Sequence, residues 1–213
     1  MMQINTLYKD FKPYSYYTKQ VQKKKKNYLP LVGSALGAGL SYAYYANKYK
    51  GMSEKEVGAL KTGLKFITMC ASSIIGGVAF GSIGAKPDSI KRKIKEGIFQ
   101  MMNMAIPMTF VSLFHHACQN IKELDKTPIK VIGSIIAMVS GAALATVITN
   151  TTRDKGQPKR KYSIKDATAN FDDVVATVAI GFGKELNEKQ NFVLNLIIPF
   201  IYAYNGMRAG QKE

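Results

Sequence analysis

Charged residues in this chain come in blocks, and the stretches between the blocks are long. Uncharged runs cover 27–47, 66–85, 97–121, 131–152, 174–183 and 190–207, and four of the six are at least 20 residues long. A helix needs about 20 apolar residues to cross the roughly 30 Å hydrocarbon core of a bilayer, so those four runs are candidate transmembrane helices and the last run is marginally long enough. The 174–183 run is too short alone. Ser163-Ile164-Lys165-Asp166 before it reads as a capping box, however, and a helix from there to Gly183 would be about 30 Å long.

Composition supports this partition. The 213 residues carry a net charge of +16, and the mean hydropathy of −0.07 averages basic blocks with apolar runs. A soluble all-helical protein with charge-free core helices is the competing reading, and the run ends argue against it. Tyr42, Tyr44, Tyr45 and Tyr49 gather beside Lys48 and Lys50, and Tyr202 and Tyr204 approach Arg208, as interfacial aromatic belts and snorkelling cations do. Small residues fill the runs, among them Gly33, Gly37, Gly76, Gly77, Gly81, Gly133 and Gly141. Each would cost a helix in water up to about 1 kcal/mol, whereas in lipid small residues let helices pack closely.

The fold expected is an all-α polytopic transmembrane bundle, six spans in two related three-helix units. Residues 1–26 form a basic, tyrosine-rich segment, 27–121 the first unit, 122–130 a connecting loop, 131–207 the second unit and 208–213 a tail. Lys and Arg number twenty on the side of the N-terminal segment, the 86–96 and 153–173 loops and the tail, against ten on the other side. That asymmetry predicts cytoplasmic N- and C-termini. Tyr42-Ala43-Tyr44-Tyr45-Ala46 resembles a signal-peptidase site, but the long basic leader and uncharged span fit an anchor better.

Matches at two offsets suggest a duplicated three-helix unit, the alternative being that hydrophobic segments resemble one another by composition. Gly33-Ser34 within aliphatics lies 100 residues before Gly133-Ser134, the segment 74–81 faces 174–181 at the same offset, and Met102–Met108 faces Leu194–Phe200 at an offset of 92. Three spans per unit is odd, so the second unit would enter the membrane from the opposite face as an inverted repeat. Transporters with that architecture hold substrate near the midplane, at helices interrupted by Pro or Gly. Pro107 and Pro199 occupy matching positions, and each frees the carbonyl four residues earlier, at Asn103 and Asn195. The alternative is that the prolines only kink their helices and the asparagines bond to neighbours.

Asp166, Asn170, Asp173 and Thr177 form one helical stripe, and a carboxylate within a span usually faces a bundle interior or a water-filled cavity. Asp173 is the candidate cation or proton site; alternatively Asp172 or Asp173 caps a half-span whose preceding residues lie on the surface. His115 and His116 are adjacent and so about 100° apart on a helix, which does not suit one metal ion. Cys70 and Cys118 read as small hydrophobes. Lys23, Lys24, Lys25 and Lys26, touching the first span, read as a topology determinant drawn to anionic lipid headgroups rather than as a nucleic-acid patch.

No phosphate loop, GxSxG elbow or HExxH is found, and nothing calls for a cofactor or metal. The function expected is passage of a small solute or ion past Asp173, Asn103 and Asn195. The alternative is a non-transporting scaffold that packs against a membrane partner or its own copies through glycine-rich faces.

Overall fold

The computed structural model describes residues 27–52, 54–151, 171–182 and 186–211, which form six helices and no strand. These are α1 (Leu29–Lys48), α2 (Glu54–Gly81), α3 (Pro87–Asn120), α4 (Thr127–Thr151), α5 (Phe171–Phe182) and α6 (Glu188–Gln211). Each uncharged run lies in one of them, with up to four residues running past a helix end. The helices reach further than the runs: α2 begins twelve residues before 66 and α3 ten residues before 97. Lys, Arg and Glu are good helix formers, so a basic flank extends a helix rather than ending it. The basic segment read as a loop at 86–96 is therefore helix from Pro87 on, and the charged residues 54–65 belong to α2.

Three helices are long and apolar enough to cross a membrane: Glu56–Gly81 of α2, α3 and α4. They fit an integral membrane protein. The first run was expected to match them, but α1 does not, because Gly, Ser, Tyr and Asn dilute its aliphatics. Described α5 is 12 residues, about 18 Å, and α6 is interrupted by amides and Pro199. Large apolar side chains stand on the outward faces: Leu40, Leu64, Ile75, Ile132, Ile136, Val147 and Phe200 are all more than half exposed. At about 25 cal/mol per Å² such a belt is unfavourable in water and at home in lipid.

Contacts fix how the helices run. Gly33 meets Gly76 and Tyr45 meets Thr68, so α1 is antiparallel to α2. Lys65 meets Asn195 and Gly81 meets Gly210, so α2 and α6 are parallel. Gly63 meets Ser112 and Gly97 meets Val78, so α3 returns antiparallel to α2, and Gly133 on Phe114 with Gly141 on Pro107 sets α4 antiparallel to α3. Pro30 touches Gly210, so the start of α1 and the end of α6 share one end of the bundle.

In cross-section α1, α2 and α6 touch one another, α3 packs on α2, α4, α5 and α6, and α5 also touches α2, α4 and α6. Among the described residues α1 touches neither α3, α4 nor α5, and α4 touches neither α2 nor α6. The buried core runs through the middle, from Phe66, Met69 and Ile74 on α2 to Met104, Met108 and Val111 on α3 and Ile198 and Tyr202 on α6.

Close approach is what the glycines supply. A Cβ on Gly77 would overlap the carbonyl oxygen of Gly206, and one on Gly81 that of Gly210. Two Gly-x-x-x-Gly pairs thus interlock α2 with α6, while Gly33 and Gly37 bring α1 onto Gly76 and Ser72 on the neighbouring face of α2. Short hydrogen bonds follow from the proximity. Ser73 donates to the carbonyl of Tyr202 at 2.6 Å and Ser41 to the hydroxyl of Ser72 at 2.7 Å.

Candidate functional site

Among the described residues only a few ionisable side chains are held inside the bundle, and each needs a partner that offsets its desolvation. Lys65 is one of these. It lies in α2, immediately before the charge-free run 66–85. Half-buried, it turns inward between α1 and α6, and its Nζ donates to Asn195 Oδ1 at 2.9 Å. The rings of Phe66 and Tyr42 lie 5.5 and 5.9 Å from the ammonium, within cation–π range.

These residues border a cavity of about 250 Å³ between α1, α2, α5 and α6. Tyr42, Tyr45, Tyr49, Phe66 and Phe192 contribute rings to its wall, and Thr62, Asn191 and Asn195 bring amides and a hydroxyl. Among the described residues that line it, Lys65 is the one charged side chain. Asn195 is anchored from its own helix, its Nδ2 donating to the carbonyl of Asn191 at 2.9 Å. One turn on, Pro199 withholds the amide that would bond the Asn195 carbonyl, so α6 is locally weakened where it borders the cavity. At the first turns of α2, Gly58 adopts φ 69°, ψ 168° inside the helix, a left-handed conformation open to glycine and a break that sets off the cavity end of the span.

Of the residues expected to form a polar route, Asn195 lines this cavity and Asn103 and Thr177 do not. Asn103 is half-buried on α3, and its proline is used for packing, since Gly141 of α4 sits directly on the Pro107 backbone. The matching Asn-Pro pairs therefore have different surroundings. Thr177 is half-buried on α5. Asp166 and Asn170 lie outside the described residues, as do Lys23 to Lys26, and Asp173 lies in the first turn of α5 with its side chain outside them. Lys65 was missed because it lies just outside the charge-free run that begins at 66. A signal existed: Lys61-x-x-Leu64-Lys65-x-x-Thr68 returns 100 residues later as Lys161-x-x-Ile164-Lys165-x-x-Thr168.

Two further polar contacts join helices elsewhere. His115, 2% exposed, pairs through Nε2 with Ser134 Oγ at 2.7 Å, between the rings of Phe114 and Phe182 and beneath Gly181. His116, its sequence neighbour, is exposed, as the 100° step requires. Lys93 is buried near the start of α3, and its Nζ donates to the carbonyl of Gly210 at 2.6 Å. That carbonyl belongs to the last turn of α6, where backbone acceptors have no intrahelical donor and a cation is favoured.

No family model matches the chain, and neither the curated proteins nor the solved structures yielded a match.

Proposed function

We propose that this integral membrane protein moves a small solute or ion, holding it in the cavity where Lys65 and Asn195 meet. The observation that carries the reading is a cation at the head of the charge-free run of α2, turned into a cavity that is bordered by a proline-interrupted helix. An ionisable group turned into a helix bundle is costly unless function retains it. Asn195 is the first-choice route residue, with Asp173, Asn170, Asp166, Thr177 and Asn103 as its proposed polar continuation.

The architecture proposed with this function is a six-span inverted repeat, α1–α3 and α4–α6. Support comes from the helix contacts: exchanging α1 with α4, α2 with α5 and α3 with α6 leaves the set of touching pairs unchanged. The matched serines Ser34 and Ser134 are both buried, and the lysine motif at 61–68 and 161–168 keeps the same offset as the matches at Gly33 and Gly133. A scaffold is the second reading, favoured by the continuous glycine seams that join α1 and α6 to α2.

Reconstituted vesicles separate the two readings. Transport predicts saturable flux of a small solute, and Asp173→Asn, which keeps shape while removing charge, is expected to insert normally and lose at least tenfold of any proton- or ion-dependent component. Undiminished flux takes Asp173 out of the route, and no flux of any solute from the parent protein returns the scaffold. Orientation is proposed with both termini cytoplasmic. In a cysteine-free background, Glu123→Cys should then react with an impermeant thiol reagent outside intact cells while Ala85→Cys stays shielded, and the opposite pattern reverses the topology.

A further inference from the structure

We infer that the start of α3 binds an anionic phospholipid, with Lys91, Arg92 and Lys95 taking the phosphate and Ile94 and Ile98 the adjoining acyl chain. The inference stands apart from the transport reading and rests on how α3 meets the bilayer. At 34 residues the helix is about 51 Å long, more than the roughly 40–45 Å of a whole bilayer with its headgroups. Its uncharged part from Gly97 on is by itself long enough for the hydrocarbon core, so residues 87–96 extend about 15 Å into and past the headgroup layer. Lys95 and Arg92 stand about 3 and 8 Å beyond Gly97 along the axis, where phosphates lie. The last turn of α6, with exposed Arg208, is at the same end, joined there by the bond from Lys93 to Gly210.

Helical periodicity sorts these residues. Lys93 and Gly97 turn inward, the first onto the Gly210 carbonyl of α6 and the second against Ile74 and Val78 of α2. Lys91, Ile94, Lys95 and Ile98, at i, i+3, i+4 and i+7, form the opposite stripe and are all exposed, with exposed Arg92 on its flank. Bases and isoleucines thus alternate along one line that runs into the bilayer. A partner with charge alone leaves the isoleucines in water, and an acyl chain alone leaves the cations without a counter-charge; a phospholipid of net negative charge meets both. Ammonium and guanidinium groups give phosphate oxygens charge-assisted hydrogen bonds, the guanidinium as a fork. Residues 86–96 carry five Lys and Arg against Asp88 and Glu96, so the segment stays positive. A zwitterionic lipid brings its own cation to the phosphate and has less to gain.

Thermal unfolding of the full-length chain in uncharged detergent, titrated with short-chain phosphatidylglycerol or with phosphatidylcholine of the same acyl chains, reads the site. Phosphatidylglycerol is expected to stabilise saturably, at concentrations at least tenfold below those phosphatidylcholine needs. Combining Lys91→Gln, Arg92→Gln and Lys95→Gln should raise the required concentration at least tenfold, and Ile94→Ser with Ile98→Ser should raise it with every charge in place. Lys122→Gln with Lys126→Gln, in the segment that follows the other end of α3, should leave it unchanged. Equal responses of the parent chain to the two lipids overturn the inference, whether or not any variant folds. A response that survives the triple substitution but is lost when Lys23 to Lys26 are changed to Gln belongs to the N-terminal segment and overturns it too. Stabilisation by glycerol phosphate at the concentrations effective for phosphatidylglycerol assigns the surface to free phosphate, and equal stabilisation by polyglutamate assigns it to an acidic protein; either result overturns the lipid.

Discussion

Gly77→Leu is expected to destroy the native packing of α2 on α6, whereas Gly39→Leu leaves the protein unchanged. The atom that a side chain at Gly77 would meet is the backbone carbonyl of Gly206, which cannot swing aside as a flexible side chain can. Relief requires the helices to part, and parting them breaks the Gly81–Gly210 contact and the 2.6 Å bond from Ser73 to the Tyr202 carbonyl. Overpacking a close-packed interior costs about 1–3 kcal/mol where neighbours can shift, and a backbone-on-backbone contact belongs at or beyond the upper end. Gly39 has nothing within 4 Å of its would-be Cβ. The two variants therefore present the same added side chain to a seam and to open space. Gel filtration in detergent and thermal unfolding followed by circular dichroism check the contrast, and a Gly77→Leu protein as monodisperse and stable as the parent refutes the seam.

Lys93→Glu is the second large effect. In the native protein a buried ammonium faces the carbonyl of Gly210; the substitution puts a carboxylate against an acceptor in a site 5% exposed. A buried charge that loses its partner costs about 3–5 kcal/mol, and here the new charge is also the wrong sign for the C-terminal end of a helix. The last turn of α6 should detach, with faster proteolysis at Arg208 and a lowered unfolding temperature. Lys93→Met is expected to be far milder, because it removes the desolvated charge together with its hydrogen bond and leaves a carbonyl short of one donor, at about 1–3 kcal/mol. Equal behaviour of the two variants would mean that Lys93 does not bind the end of α6.

Some of this was written in the chain order and some was not. The helical class and the membrane setting follow from charge-free runs of about 20 residues, because a backbone in lipid must satisfy its hydrogen bonds within the segment and helices do so locally. The glycines in the runs likewise announce close packing. What the runs misjudge is where helices begin, since Lys91, Arg92 and Lys93 continue α3 as readily as they would fill a loop.

Partners were beyond the sequence. Gly77 is a candidate for contact with any small residue on any other helix, and only the assembled bundle matches it to Gly206, 129 positions away. Lys65 and Asn195 are separated by 130 residues, and nothing local distinguishes Lys65 from the basic residues before it. Their meeting depends on α2 and α6 lying parallel and within the approach that four glycines permit, while Asn103, with the same sequence context as Asn195, is kept from such a cavity because Gly141 of α4 closes over Pro107. Hydrophobicity along the chain is a local quantity and determines which segments leave water. The groups those segments bring together depend on side-chain volumes at distant positions, and that is decided only when the helices pack.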